Sequence, residues 1–165
     1  MRVPMPYDGW MKLDKLNTWL GLVANIGVLI GIAFLAYEIQ VNTSAIRSAS
    51  VQAITDASMD SLLDLASDRD LAILRLTGDR DPSKLSEVQT FQYFAYYRQH
   101  WLHFQNIFFQ HNFGVLNAGI WGTYARVICI DIENIEKPGI KATWSDHAEV
   151  LDPEFVEYVE SCTLF

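Results

Sequence analysis

Cysteine is scarce in this chain, which has only Cys129 and Cys162 among its 165 residues. Two cysteines cannot define a disulfide framework, and a chain of this length does not need a disulfide in order to fold. Cys129 also lies in the apolar run VICI, where burial favours the neutral thiol. We therefore expect two buried thiols, with a bridge between them as the alternative.

Sequence motifs for catalysis are absent as well. The chain contains no G-x-S-x-G nucleophile motif, no glycine-rich phosphate-binding loop and no dinucleotide-binding fingerprint. Nucleophilic catalysis needs a serine or cysteine activated by a neighbouring base, and no pattern here predicts such a pair. We therefore predict a non-enzymatic protein that carries no cofactor.

Basic residues are outnumbered, with 12 Lys and Arg against 20 Asp and Glu and a net charge of −8. From Glu38 to the end of the chain the net charge is −9. Such an acidic segment repels nucleic-acid phosphates and anionic lipid headgroups, so neither is expected as its ligand. The simplest interpretation of the charge is that it keeps this part of the chain soluble.

One long uncharged run stands out, from Trp19 to Tyr37, with the sequence WLGLVANIGVLIGIAFLAY. As a helix its nineteen residues extend about 29 Å, close to the thickness of the hydrocarbon core of a bilayer. The run is longer than the apolar core of a signal peptide, and no small-x-small cleavage site ends it. We predict an uncleaved transmembrane helix over residues 16–38, after a short N-terminal segment of residues 1–15.

The flanking charges predict the orientation of this helix. Arg2, Lys12 and Lys15 precede it, whereas only Arg47 follows within about 20 residues. The positive-inside rule then places the N-terminus in the cytoplasm and the rest of the chain in the periplasm, with the helix in a bacterial inner membrane.

The remainder of the chain is predicted to be helical. No Gly or Pro occurs from Glu38 to Asp68, so the membrane helix is expected to continue as a stalk over residues 39–66, with a possible interruption at residues 42–44. Residues 67–165 are expected to form an acidic helical domain. No strand pattern of period two persists anywhere, so the predicted fold class is all-α.

Local signals divide this domain into helices. A short helix is expected to end near Gly78, followed by a loop over residues 79–83. The capping box of Ser86 and Gln89 begins a long helix that ends before Gly114. Asn117 is expected to cap the next helix, over residues 118–135, and a further short helix is expected to begin near residue 140. Asp152 is expected to cap a last helix over residues 153–162.

Aromatic residues are concentrated in the long helix. Five of them recur at spacings of three or four and predict a core-facing stripe: Phe94, Tyr97, Trp101, Phe104 and Phe108. Tyr93 and Tyr96 lie off this stripe and are expected near the membrane or a partner.

His100 and His103 lie three residues apart on the same helix, on one face, as two metal ligands could. A zinc site needs three or four ligands, and no HExxH motif or neighbouring cysteine supplies the others. We therefore predict no metal site and interpret His100 and His103 as polar or core histidines. If a metal does bind, these two residues are the candidate ligands.

The apolar run has a face suited to contact with another helix. Ala24, Gly27 and Gly31 lie on one stripe, with the small-xxx-small spacing that lets two helix backbones approach closely. Asn25 adds an amide that needs a hydrogen-bond partner inside a bilayer. We predict that these four residues form a helix–helix interface, either with a second copy or with another membrane protein.

The order of these features resembles a widespread family of uncharacterised bacterial single-span membrane proteins with an all-helical soluble domain. The residues that carry the resemblance are Glu38-Ile39-Gln40, Asn42-Thr43-x-Ala45-x-Arg47, Phe104-x-Asn106-Ile107, Gly114-Val115-Leu116, Trp121, Trp144 and Asp152-Pro153-Glu154-Phe155. The resemblance implies the architecture and no activity. Family members are more basic just after the membrane helix, which would place the domain in the cytoplasm, so the orientation stays open at this point.

These observations predict a non-enzymatic single-pass membrane protein that acts as an interaction module. Its expected partners are the lipid bilayer and other membrane helices, from a second copy or from a larger complex that it serves as an accessory subunit. The alternative prediction is a ligand-binding or sensory protein that holds an apolar ligand among the aromatic side chains of its helical domain.

Overall fold

In a computed structural model, which describes residues 8–134 and 137–162, the chain folds into α-helices, and no β-strand occurs within those two ranges. The side chains of residues 8–13 are outside the description. The helices are α1 (Asp8–Ser67), α2 (Arg69–Arg80), α3 (Glu87–Asn112), α4 (Ala118–Glu133), α5 (Pro138–His147) and α6 (Pro153–Glu160). Single 3₁₀ turns follow α2 and α5. The predicted all-α fold class is confirmed.

Helix α1 contains the apolar run and is long enough, by length and composition, to cross a membrane. Its most apolar window has a mean hydropathy of 2.2, and none of that window is buried. A signal sequence near the N-terminus would have the same properties. The predicted interruption at residues 42–44 is not seen, because these polar side chains are exposed to solvent and do not compete for the backbone hydrogen bonds of the helix.

By its internal contacts the chain divides into an N-terminal unit that ends at Ile46 and a C-terminal unit that begins at Arg47. The predicted stalk over residues 39–66 is therefore divided between the two units. In the C-terminal unit, Val51 and Ile54 of α1 join the hydrophobic core.

Helix α3 forms the centre of the C-terminal unit, and α2, α4 and α5 pack around it, with α6 against α4. Four of the five predicted stripe residues are buried (Tyr97, Trp101, Phe104 and Phe108), and Phe94 is half-buried. Trp101 meets Trp144 of α5 with ring centroids 4.9 Å apart, and Phe108 meets Phe155 of α6 at 5.7 Å. The aromatic stripe is thus the core of the unit.

Tyr93 was predicted to lie near the membrane or a partner, and this prediction is wrong. The side chain is fully buried, because it lies one turn before Tyr97 and packs against two glycines, Gly78 of α2 and Gly139 of α5. Tyr96, which shared the prediction, is half-buried against the core.

The helix ends follow the predicted local signals closely. Ser86 and Gln89 form a reciprocal capping box at the start of α3, and the Asn117 side chain accepts the backbone N–H of Ile120 at the start of α4. Gly114, at φ +69°, lies just beyond α3 in the left-handed region that glycine adopts without strain. Helix α2 extends two residues further than the predicted end at Gly78, and this extension brings Asp79 into a buried helical position.

The two cysteines are joined as a disulfide, so the expectation of two buried thiols is wrong. Cys129 of α4 and Cys162, just after α6, have Cα atoms 5.3 Å apart although 33 residues separate them in sequence. Contacts between α4 and α6 bring the two side chains together.

Candidate functional site

The four residues of the predicted helix–helix interface lie on α1 with their side chains exposed. Within the part of the chain that the structure describes, a Cβ atom added at Gly27 or Gly31 would meet nothing within 4 Å beyond the backbone of α1 itself, so both glycines are open to a partner. Successive helical residues are about 100° apart around the axis, so Asn25 lies about 130° around the helix from the centre of the stripe formed by Ala24, Gly27 and Gly31. A single partner helix centred on the glycines would therefore leave Asn25 on the other side of α1.

His100 and His103, the candidate metal ligands, bind different partners. His100 Nε2 lies 2.8 Å from Asp131 Oδ2 of α4, whereas His103 Nε2 lies 2.9 Å from Ser58 Oγ of α1. Within the described ranges no group of three or more His, Cys, Asp or Glu residues is arranged to hold a metal ion. The face that the two histidines share is therefore used for contacts between helices.

The hydroxyl group of Ser58 is the centre of a small polar cluster. Its oxygen lies 2.9 Å from the Ile54 carbonyl oxygen, to which it can donate, and 2.9 Å from Nε2 of His103. The Tyr124 hydroxyl of α4 lies 3.4 Å away. Burial, together with the nearby His100, lowers the pKa of His103 and favours its neutral form. The cluster connects side chains of α1, α3 and α4.

A second polar cluster surrounds Asp79, which the sequence patterns did not single out. Asp79 Oδ1 accepts the hydroxyl of Tyr93 at 2.9 Å and that of Tyr97 at 2.7 Å, and Arg75 Nε lies 3.9 Å from Oδ2. Burial raises the pKa of both tyrosines above the ordinary value, so both remain protonated donors. The sequence did contain one signal for this cluster. Tyr93 and Tyr97 lie one helical turn apart, and two buried hydroxyl groups would need a nearby acceptor.

Two adjoining clefts open between helices of the C-terminal unit. One, of about 740 Å³, lies among α1, α2 and α3, and the other, of about 290 Å³, lies between α1 and α3 beside His100 and His103. They share three lining residues, Ser61, Tyr96 and Gln99. The wall of the larger cleft is about half polar and includes Asp64, Asp68 and Asp70. The buried rings of the aromatic stripe, by contrast, contact one another and the neighbouring helices.

Comparisons with known proteins place the chain in no family, since no family model, no curated protein and no solved structure matches it.

Proposed function

We propose that this protein is a membrane-anchored, non-enzymatic interaction module. Its long helix crosses the bacterial inner membrane and associates there with another membrane helix, from a second copy or from a larger complex. Its acidic helical domain is the part that the anchor holds at the membrane surface.

The observation that carries the proposal is the contrast between the two units. Between Trp19 and Tyr37 every side chain of α1 is exposed, and among the described residues a Cβ atom added at Gly27 or Gly31 would meet no neighbour within 4 Å beyond the helix's own backbone. An apolar helix without a protein partner needs either lipid or another helix around it. In the C-terminal unit, by contrast, the polar groups of Ser58, Asp79 and His100 bind partners within the same unit.

We further propose that the C-terminal unit lies in the periplasm, with the N-terminus in the cytoplasm. The disulfide between Cys129 and Cys162 supports this orientation, because disulfides persist in the periplasm and are rare in the cytoplasm. The excess of basic residues before the apolar run favours the same orientation independently.

The membrane contact is tested by replacing Gly27→Leu and Gly31→Leu together. Two added side chains should separate the helix backbones, because the small-xxx-small interface depends on close approach. We expect the complex extracted in mild detergent to lose its partner, as measured by native mass spectrometry. The matched control is Ala33→Leu with Ala36→Leu, which makes the same kind of change on the opposite side of the helix.

Complexes of unchanged mass in the glycine variant would contradict the proposal. Equal loss in both variants would also contradict it, because a general effect of helix bulk would then explain the result. An intact complex that contains this chain alone would identify the partner as a second copy, whereas co-migrating chains would identify an accessory subunit.

The alternative function, an apolar ligand held on the aromatic stripe, has less structural support. Trp101 is fully buried by protein and Tyr97 almost fully, so a ligand on this stripe would have to displace core side chains. The larger cleft is lined by carboxylates, amides and hydroxyls as much as by apolar groups.

A further inference from the structure

The larger cleft of the C-terminal unit has the size of a small-molecule binding site. Its volume is about 740 Å³, and small-molecule sites commonly enclose about 300–1,000 Å³. The residues of α3 that line it extend from Gln89 to Gln99, about 15 Å along the helix axis, and α1 and α2 form the facing walls. The cleft is therefore long enough for an elongated ligand.

The charges around the cleft favour a cation. No Lys or Arg lines this cleft or the smaller one that adjoins it. Arg75, which is outside the lining, lies over the Tyr96 ring at 5.6 Å from its centroid, and Asp79 provides its counter-charge. Asp64 and Asp70 line the cleft, are exposed, and have no ion-pair partner among the described residues. An anion would meet only repulsion here, whereas a cation would find two carboxylates without a counter-charge.

The third carboxylate of the cleft has a structural role. Asp68 Oδ1 accepts the backbone N–H groups of Asp70 and Leu71 at 2.8 and 3.0 Å, so this side chain caps the start of α2. A ligand is therefore expected to depend mainly on Asp64 and Asp70.

The shape and chemistry of the wall favour an organic cation over a metal ion. Within residues 8–134 and 137–162 no group of three or more His, Cys, Asp or Glu residues is arranged to hold a metal ion. Apolar side chains line the same cleft, with Ile73 47% exposed and the Phe91 ring 76% exposed. An exposed aromatic ring attracts ammonium groups, and apolar side chains favour hydrocarbon. Separate carboxylates and apolar groups along one cleft match a ligand whose positive charges are joined by hydrocarbon segments.

We infer that this cleft binds a linear polyamine, a flexible chain of methylene groups that carries two or more ammonium groups. The ammonium groups pair with Asp64 and Asp70, and the methylene groups lie against Ile73 and Phe91. The site belongs to the C-terminal unit alone, so the inference does not depend on the proposed membrane anchoring.

The test is isothermal titration calorimetry of the full-length protein in a non-ionic detergent, with spermidine as the probe. The double change Asp64→Asn and Asp70→Asn keeps the size of both side chains and removes their charge. We expect it to weaken spermidine binding about tenfold, because two ion pairs are lost. The matched control is Asp56→Asn with Asp60→Asn, which removes two exposed carboxylates of α1 that line neither cleft and should change the affinity less than twofold.

A second variant, Phe91→Ala, leaves every carboxylate in place. We expect it to weaken spermidine binding about two- to fivefold, because an exposed aromatic ring contributes modestly to the binding of a cation. Circular dichroism of each variant checks that its helical content is unchanged.

Absence of spermidine binding to the unchanged protein would overturn the inference. Equal weakening in the cleft variant and the control variant would overturn it as well, because the net negative charge of the unit would then explain the binding. Titration in MgCl2 and in NaCl at the same ionic strength gives a further check. Greater displacement of spermidine by MgCl2 would show that the carboxylates attract any divalent cation, and would also overturn the inference.

Discussion

At the scale of single residues, the packing of α2 against α3 depends most clearly on the hydrogen bonds that the buried carboxylate of Asp79 accepts. One oxygen accepts two tyrosine hydroxyls, and both tyrosines are almost completely removed from solvent. Because neither hydroxyl can turn toward water, both depend on the one acceptor.

We predict that Asp79→Ala lowers the free energy of unfolding by about 2–4 kcal/mol, because it leaves two buried donors without an acceptor. Asp79→Asn, which keeps one acceptor oxygen, should lose less. Chemical denaturation of the full-length protein in detergent, followed by circular dichroism, measures both changes.

The control for this prediction is Asp60→Ala, which removes an exposed carboxylate from α1 and should change the unfolding free energy by about 0.5 kcal/mol or less. Equal effects of Asp79→Ala and Asp60→Ala would show that the hydrogen bonds to Asp79 contribute nothing to stability.

At the scale of helices, α2 and α5 are in contact because two glycines leave room for it. A Cβ atom added at Gly139 would overlap the Gly78 carbonyl group and come within 2.6 Å of the Tyr93 hydroxyl, and one added at Gly78 would overlap the Tyr93 ring. The neighbouring atoms include backbone, which cannot rotate away as a flexible side chain can.

We therefore predict that Gly139→Ala destabilises the protein by about 1–3 kcal/mol through overpacking, even though alanine is the better helix former. Thermal unfolding of the full-length protein in detergent provides the measurement.

The matched substitution is Gly122→Ala in α4, where an added Cβ atom has no neighbour within 4 Å. It should raise the unfolding free energy by about 0.5–1 kcal/mol, because alanine is favoured over glycine inside a helix. A stabilising effect of Gly139→Ala would mean that α2 and α5 are not packed closely through their glycines.

At the scale of the whole molecule, the disulfide connects the stability of the C-terminal unit to the compartment in which it folds. The bond joins α4 to the residue after α6, and the core side chains of α6, Phe155 and Val159, are fully buried. The bond therefore stabilises the terminal helix, and whether it forms depends on the redox state of the compartment.

We predict that reduction, or the double change Cys129→Ser and Cys162→Ser, lowers the unfolding free energy by about 2–4 kcal/mol. In whole cells, a membrane-permeant maleimide should label neither cysteine before reduction and both after reduction and denaturation, as measured by a mass shift on gels. Two thiols that are labelled without reduction would place the C-terminal unit in a reducing compartment and contradict the proposed orientation.

Local chemistry determined much of the architecture. The apolar run, the capping residues Ser86, Asn117 and Asp152, and the three-four spacing of the aromatics each depend on neighbours a few residues away, and all are visible in the sequence. For this reason the all-α class, most helix boundaries and the buried stripe were predicted correctly.

Contacts between residues distant in the chain were decided by the tertiary structure alone. The burial of Tyr93 depends on glycines of α2 and α5, the pairing of Asp79 depends on α2 extending past Gly78, and the disulfide depends on α4 meeting α6. Each of these contacts depends on how helices pack, and periodicity within one helix carries no information about which neighbour will cover its buried face.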